Sequence, residues 1–265
     1  MPSRIVTLLT DFGLADPYVG IMKGVILSRA PEAVILDLTH EVPPQQIMLG
    51  ALALRSAVEF FPPGTIHVAV VDPGVGSQRH ALAVATRRHV FLGPDNGLLA
   101  LAAAPNERQE IRRLENARLF CQPVSATFHG RDIFAAVAGH LAAGTALAEV
   151  GPRSDTMVEL EFPAPQRRDG ELVGTIVYID RFGNLVTNFD VPSLAAFDKG
   201  RVCFRLKNSW VYGIVPTYAS LPVGGVGALF GSWGLLEIAV RNGSAATVLE
   251  ARIGDEVVAT QEKRR

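Results

Sequence analysis

The fold is decided near the N-terminus, where residues 5–38 read IVTLLTDFGLADPYVGIMKGVILSRAPEAVILDL. Residues 5–9 form a short, mainly apolar run, which is typical of a strand buried on both faces. Asp16-Pro17 predicts an N-cap residue followed by a proline in the first helical position, and residues 18–29 then carry apolar side chains at helical spacing. Residues 33–38 are apolar again. The stretch therefore predicts a strand, a helix and a second strand.

The same alternation continues along the chain. A second helix is predicted over residues 46–61, and a third strand over residues 65–71. A β-α-β-α-β series favours a doubly wound, mostly parallel sheet with right-handed crossovers. A strand pair follows at 81–86 and 89–92, and a further helix is expected around 131–142.

The pattern changes after a proline-rich, charged segment. We predict an N-terminal α/β domain over residues 1–162, a linker over 163–171 and a smaller C-terminal domain over 172–265. Short apolar runs separated by glycine-bearing turns predict an antiparallel, barrel-like β domain there. Its strands are expected at 173–179, 201–206, 227–230, 235–240 and 247–253.

Composition excludes several classes of protein. Charged residues make up 19% and hydrophobic residues 48% of 265 residues, an ordinary globular balance, and the net charge of -1 favours neither nucleic acid nor an anionic membrane as partner. Two cysteines, Cys121 and Cys203, make no disulfide framework, so a cytoplasmic location is predicted. No segment reaches the ~18 apolar residues of a membrane span. Residues 263–265 are expected to be a solvated tail.

Acidic residues recur where the first three predicted strands end. Asp11, Asp37 and Asp72 occupy these positions, and ligands of open parallel sheets bind beyond the carboxyl ends of the strands. Capping of a turn explains each acid as well as ligand binding does, so both interpretations stay open. For Asp16 the cap is the simpler interpretation.

Two further segments contain basic residues that could lie near this edge. Residues 70–80 read VVDPGVGSQRH, and residues 127–132 read TFHGRD. Asp72, Arg79 and His129 are therefore an acid, an arginine and a histidine that could hold and polarise a water molecule if the fold brings them together.

Several other motifs do not support a function. The TDFG of residues 10–13 is not a kinase motif, because no glycine-rich phosphate loop precedes it. No Rossmann fingerprint and no Gly-x-Ser-x-Gly nucleophile elbow is present. His40, His67 and His140 are expected to be structural, and no His/Cys/Asp spacing predicts a zinc site.

The motifs taken together resemble the S-adenosylmethionine hydroxide adenosyltransferases, relatives of the fluorinases and chlorinases. Seven motifs stand in the family's order, and each alone is modest evidence. They are TDFG at 10–13 with Asp16, HEVPP at 40–44, DPGVG at 72–76 with Arg79, GPDNG at 93–97, TFHGRD at 127–132, IDRFGN at 179–184 and SWGLLEIA at 232–239.

The resemblance implies a function and an assembly. The expected reaction is attack of water at the ribose C5′ of S-adenosyl-L-methionine, which gives adenosine and L-methionine without a metal or redox cofactor. The expected assembly is a homotrimer, with each active site between the N-terminal domain of one subunit and the β domain of its neighbour. A halogenase of the same fold and a non-catalytic sensor of S-adenosylmethionine or adenosine are the alternatives.

The resemblance also implies roles for single residues. Asp11 resembles the acid that accepts both ribose hydroxyls. Asp16 resembles an acid facing the methionine ammonium group, which would replace its interpretation as a cap. The remaining roles are Asp180 at the same ammonium group, Ser232 near the methionine carboxylate, and Phe182 and Asn184 at adenine.

Asp72, Arg79 and His129 match the triad that distinguishes the water-using branch from the halogenases. Gln45 stands where the fluorinases carry a tryptophan, which also favours the hydrolytic branch. One departure concerns Gly231, where the family usually has asparagine.

Overall fold

The computed structural model describes residues 4–104 and 106–261. The chain divides into two compact units, with the boundary between Glu161 and Phe162. The tail predicted at residues 263–265 lies outside the described residues. In the described part of the chain, no helix is long and apolar enough to cross a membrane.

The first unit is built on one sheet of six strands. Numbered along the chain, the strands lie side by side in the order 2-1-3-5-4-6. Strands 2, 1, 3 and 5 run parallel to one another, and strand 4 runs antiparallel to its neighbours, strands 5 and 6. This mostly parallel arrangement is the one predicted from the β-α-β-α-β series. The strands are β1 (Ile5–Thr10), β2 (Val34–Thr39), β3 (Ile66–Val70), β4 (Ala81–Thr86), β5 (Val90–Pro94) and β6 (Arg108–Arg113).

Helices cover both faces of this sheet, as a doubly wound fold requires. One face packs a core that contains Leu8 of β1 and Met22 of the first helix. Leu9 points to the other face, since side chains alternate along a strand, and there Gly50 of the second helix lies against it. The helices are α1 (Tyr18–Leu27), α2 (Ile47–Val58) and α3 (Ala136–Ala142), and short 3-10 turns lie at Ala117–Leu119 and Leu147–Val150.

The start of α1 differs from the prediction. The helix begins at Tyr18, its N-cap position is Pro17, and no side chain makes a capping hydrogen bond. The Pro17 carbonyl accepts the first helical bond, from Ile21 N at 2.9 Å. Asp16 is exposed and lies one residue too early to cap, so its interpretation as an N-cap is wrong.

The second unit is an antiparallel, nearly closed β barrel. Its strands are β7 (Gln166–Arg168), β8 (Glu171–Ile179), β9 (Leu185–Asp190), β10 (Val202–Leu206), β11 (Ser209–Tyr212), β12 (Val226–Phe230), β13 (Leu235–Val240) and β14 (Glu256–Gln261). The order is β11-β10-β14-β8-β9-β13-β12, with β7 paired to β8. A bridge between Ile214 and Ala228 brings the chain after β11 against β12, the opposite end of that order.

Two details of this unit correct the sequence analysis. Residues 166–171, predicted as linker, form the β7–β8 hairpin, because Asp169 and Gly170 both adopt positive φ and make a two-residue turn. The strand predicted at 247–253 is also wrong. The short helix α4 (Ala245–Val248) lies there, started by Ser244, whose side chain accepts a hydrogen bond from Thr247 N. A 3-10 turn at Tyr218–Ser220 completes the unit.

Candidate active site

The carboxyl ends of β1 and β3 form one edge of the first sheet. Thr10 and Val70 are register partners, so Asp11 and Asp72, which follow these strands, lie at the same edge. Asp37 does not join them, because it lies inside β2. It is 2.6 Å from Lys23 Nζ and 3.0 Å from His40 Nε2, and these contacts favour a structural role.

Asp72, Arg79 and His129 meet at this edge. Arg79 Nε donates to Asp72 Oδ1 at 3.0 Å, and Arg79 Nη2 donates to Asp72 Oδ2 and contacts His129 Nδ1 at 2.8 Å. The side chains of Asp72 and Arg79 are only 5% and 11% exposed. The guanidinium group also lies over the Phe134 ring, 5.6 Å from its centroid. Arg79 is therefore the central member of a largely desolvated cluster.

These contacts determine which nitrogen of His129 carries a proton. A guanidinium group can only donate hydrogen bonds, so Nδ1 must be the acceptor and the neutral ring carries its proton on Nε2. Burial lowers the pKa of His129, the charge of Arg79 lowers it further, and Asp72 and Asp132 partly oppose this change. Because the pKa lies below its usual value, His129 is neutral at neutral pH.

Close packing of two loops brings Arg79 and His129 together. Gly76 has φ +77°, and a Cβ at this position would overlap the Ala126 carbonyl oxygen. Only glycine allows this approach, which places the loop carrying Arg79 against the loop that leads into His129. His129 itself immediately precedes a π-helical turn, Gly130–Ala135, that continues into α3.

Asp132 supports the same loop and was not singled out from the sequence. Its buried carboxylate accepts hydrogen bonds from Ser125 N at 2.8 Å and from Arg131 Nε at 2.6 Å, and its backbone carbonyl accepts from Cys121 N. The donors hold the pKa of Asp132 below its usual value against the effect of burial. The signal for this role is its position in TFHGRD, three residues after His129.

Asp11 keeps most of its acceptor capacity. Its Oδ2 accepts one hydrogen bond, from Gln45 N at 2.8 Å. Gln45 adopts φ +67°, a left-handed conformation that is uncommon for glutamine and directs its N–H to the carboxylate. A half-buried carboxylate with one such donor can still accept two hydroxyl groups.

Aromatic side chains lie beside this edge. Phe12, Tyr18 and Phe128 form a mutual edge-to-face cluster with ring centroids 5.2 to 6.0 Å apart. Asp16 is exposed, two residues before Tyr18.

The second unit contains a cavity of about 790 Å³. Four of the predicted site residues line it: Asp180, Phe182, Asn184 and Ser232. Phe182 is 77% exposed, although aromatic side chains are normally covered, whereas Asn184 is buried. The other lining residues are Val186, Tyr218, Ala219, Trp233, Glu237, Val240, Arg241, Asn242 and Gly243.

Asp180 organises the loop between β8 and β9. Its Oδ1 accepts hydrogen bonds from Phe182 N at 2.9 Å and Asn184 N at 2.8 Å, and its Oδ2 accepts from Asn184 Nδ2 at 2.8 Å. The carboxylate therefore fixes the positions of the two residues predicted to contact adenine.

The histidines predicted to be structural make structural contacts. His40 is buried beside Asp37, and His67 is buried with Nδ1 2.7 Å from Thr7 Oγ1. Burial lowers the pKa of His67 to about 3. His140 accepts a hydrogen bond from an arginine side chain. Within residues 4–104 and 106–261, no group of three or more potential ligands is arranged to hold a metal ion.

Two models of protein-family domains match this chain, one in each unit. Residues 6–151 match the model of the SAM hydroxide adenosyltransferase N-terminal domain, and residues 174–258 match that of the C-terminal domain. The chain belongs to the SAM hydroxide adenosyltransferase family. The resemblance deduced from the seven motifs is thereby confirmed.

The named relatives include hydrolases and, at lower identity, fluorinases. A Thermus thermophilus protein named (R)-S-adenosyl-L-methionine hydrolase is 38% identical over 263 residues, which cover 95% of this chain and 97% of that protein. A protein of the same name from Salinispora arenicola is 37% identical, covering 96% and 97%. A fluorinase from Nocardia brasiliensis is 26% identical, covering 96% and 95%.

Solved structures support the fold of the family. A conserved protein of Thermotoga maritima, described as uncharacterized, is 36% identical with a TM-score of 0.90, covering 97% of this chain and all of that chain. A conserved hypothetical protein of Thermus thermophilus gives a TM-score of 0.77 at 36% identity and the same coverage.

Proposed function

We propose that this protein hydrolyses S-adenosyl-L-methionine by attack of water at the ribose C5′, with adenosine and L-methionine as products. The cluster of Asp72, Arg79 and His129 carries the proposal, because it combines a buried acid, a guanidinium group and a neutral imidazole at the sheet edge. The greater similarity to relatives named hydrolases than to fluorinases supports the same choice.

Catalysis of this reaction depends more on positioning the attacking water than on activating the leaving group. The sulfonium sulfur leaves as the neutral thioether of methionine, so a water molecule in line behind C5′ can displace it. Holding that water in a near-attack geometry contributes several kcal/mol. The reaction consumes one water and releases one proton, and it involves no oxidation or reduction. We therefore infer that it needs no redox cofactor, and no metal to stabilise a leaving group that departs uncharged.

The hydrogen bonds support a different task for each of the three residues. His129 uses the Nδ1 lone pair towards Arg79 and presents Nε2–H, so it donates a hydrogen bond to the attacking oxygen. Arg79 cannot accept a proton, and it stabilises hydroxide character on that oxygen. Asp72 is the one member with free lone pairs, and it accepts the proton as the carbon–oxygen bond forms.

The remaining residues bind the substrate. Asp11 accepts the two ribose hydroxyls, and Phe182 and Asn184 stack on and hydrogen-bond to adenine. The methionine end is held by Asp16 and Asp180 at the ammonium group and by Ser232 at the carboxylate. We infer that the residues of the first unit of one subunit meet those of the second unit of a neighbouring subunit in a homotrimer.

Incubation with S-adenosylmethionine in ¹⁸O-labelled water tests the reaction. Mass spectrometry should find one heavy oxygen on the 5′-hydroxyl of adenosine, together with unlabelled methionine. Adenosine without the label would refute direct displacement. A 5′-halo nucleoside formed in added chloride or fluoride would replace hydrolysis by halogenation, and tight binding without product would favour a sensor.

The assembly is tested separately by mixing two inactive variants. Asp11→Ala and Asn184→Ala alter different units, so co-refolded mixed trimers should regain part of the activity. Light scattering gives the oligomeric state directly, and an active monomer would refute shared sites.

A further inference from the structure

Glu237 is a buried carboxylate that the proposed binding roles leave unused. It lies on β13, lines the cavity of the second unit and is only 7% exposed. Its Oε2 accepts a hydrogen bond from Tyr218 Oη at 2.5 Å. No described residue donates to its Oε1. Because Glu237 lines the cavity, this oxygen is available to a donor on a bound ligand.

The position of this carboxylate depends on Gly231. A Cβ at residue 231 would overlap Oε1 and Cδ of Glu237. A larger side chain at this position, such as that of asparagine, would force the Glu237 carboxylate to move. The carboxyl group therefore occupies the space that a side chain at residue 231 would take, in the same cavity that Ser232 lines.

Glu237 offers more acceptor capacity than Asp180. An ionised carboxylate has about four lone-pair sites. Asp180 uses three of them on Phe182 and Asn184, whereas Glu237 uses one, on Tyr218. The third charged residue of the cavity is Arg241, whose Nη1 donates to two backbone carbonyls of its own unit.

Burial raises the pKa of Glu237, and the negative charge of Asp180 raises it further, while the Tyr218 hydrogen bond opposes the change. The charge of Asp180 destabilises the charged form of Glu237, and a bound cation would remove that destabilisation. This arrangement therefore favours a ligand with a positively charged donor group.

We propose that Glu237, exposed to the cavity by Gly231, binds the α-ammonium group of the methionyl moiety and selects ligands that carry it. The proposal rests on the proposed function, since it places the methionine end of the substrate in this cavity. The ammonium group is the expected partner because it is attached to the same carbon as the carboxylate assigned to neighbouring Ser232.

Calorimetry with two unreactive ligands tests this role in the full-length protein. One ligand is S-adenosyl-L-homocysteine, which keeps the ammonium group but has a neutral sulfur. The other is its desamino analogue, with hydrogen in place of that group. Glu237→Gln should weaken the first ligand by about tenfold to hundredfold, the range for a hydrogen bond between charged groups, and leave the second within about twofold.

Two further variants make the result specific. Gly231→Asn keeps Glu237 but displaces its carboxylate, so it should cause the same selective loss. Glu256→Gln, an exposed substitution in the same unit, should change neither affinity. In Glu237→Gln the amide oxygen can still accept from Tyr218, so thermal unfolding should be nearly unchanged.

The outcomes separate this inference from the proposed function. Equal losses for both ligands, or no loss for either, would overturn the role of Glu237 while leaving hydrolysis untouched. A selective loss in a protein that never forms adenosine would support Glu237 and overturn hydrolysis instead.

Discussion

Replacement of His129 by asparagine separates the two functions of its ring. The Asn Oδ1 lies near the position of His Nδ1 and can still accept from Arg79 Nη2, a contact of 2.8 Å in the native protein. Asparagine has no group at the position of Nε2. His129→Asn should therefore preserve the cluster and remove the donor assigned to the attacking oxygen.

The expected loss follows from that single donor. The donor holds the attacking water in line with C5′, and misplacement of a reacting group by about 1 Å lowers the rate by about 10². Stability should change by less than about 1 kcal/mol, because the buried pair of Asp72 and Arg79 keeps its partners. The complementary variant, His129→Gln, places an amide N–H near the Nε2 position and should retain at least about tenfold more activity than His129→Asn.

The assay is adenosine release under saturating substrate, with urea unfolding as the check on folding. Nitrogen-15 NMR of histidine-labelled protein reports the tautomer directly and should show a protonated Nε2 and an unprotonated Nδ1. Activity of His129→Asn within about threefold of the native value would refute the donor role. A proton on Nδ1 would refute the reasoning from the Arg79 contact.

Three further predictions concern binding and stability. Asp11→Asn should keep the Gln45 N–H contact but weaken adenosine by about 10- to 100-fold in calorimetry, since two hydroxyls lose a charged acceptor; unchanged affinity would exclude the diol role. Arg79→Met leaves the buried Asp72 carboxylate unpaired and should destabilise the protein by about 3 to 5 kcal/mol in urea unfolding, a loss that Asp72→Asn should partly relieve if the pairing is its cause. His67 has a folded pKa of about 3 against 6.5 when unfolded. The unfolded state therefore binds more protons below pH 6.5, and lowering the pH to 4 should cost about 3 kcal/mol of stability; an equal pH slope in His67→Asn would contradict this.

Much of the first unit follows from local sequence. Mainly apolar runs such as residues 5–9 have a simple physical reason, because a strand buried on both faces has no side turned to solvent. The acids Asp11 and Asp72 follow from the same reasoning, since parallel strands end at one edge. The partnership of Arg79 and His129 does not, because it depends on the contact of two loops that are 50 residues apart.

In the second unit, local sequence patterns give some wrong predictions of secondary structure. The Asp169-Gly170 turn is a strong hairpin signal, but the prolines and charged residues before it favour a linker. The run 247–253 has an apolar pattern, but the Ser244 side chain starts a helix there. The role proposed for Glu237 could not be predicted from the sequence, because it depends on the space that the absence of a side chain leaves at Gly231.

The π-helical turn at Gly130–Ala135 sets the direction in which His129 faces. Such a turn holds one residue more than an α-helical turn. If the same number of residues formed an ordinary α-helix, every residue ahead of this turn would rotate by about 100° around the helix axis, and the imidazole would leave the Arg79 guanidinium. The wider turn absorbs the extra residue, so that His129 faces the cluster while the buried side of α3 faces the core. The turn type, and not only the residue His129, therefore determines whether the cluster at the sheet edge can form.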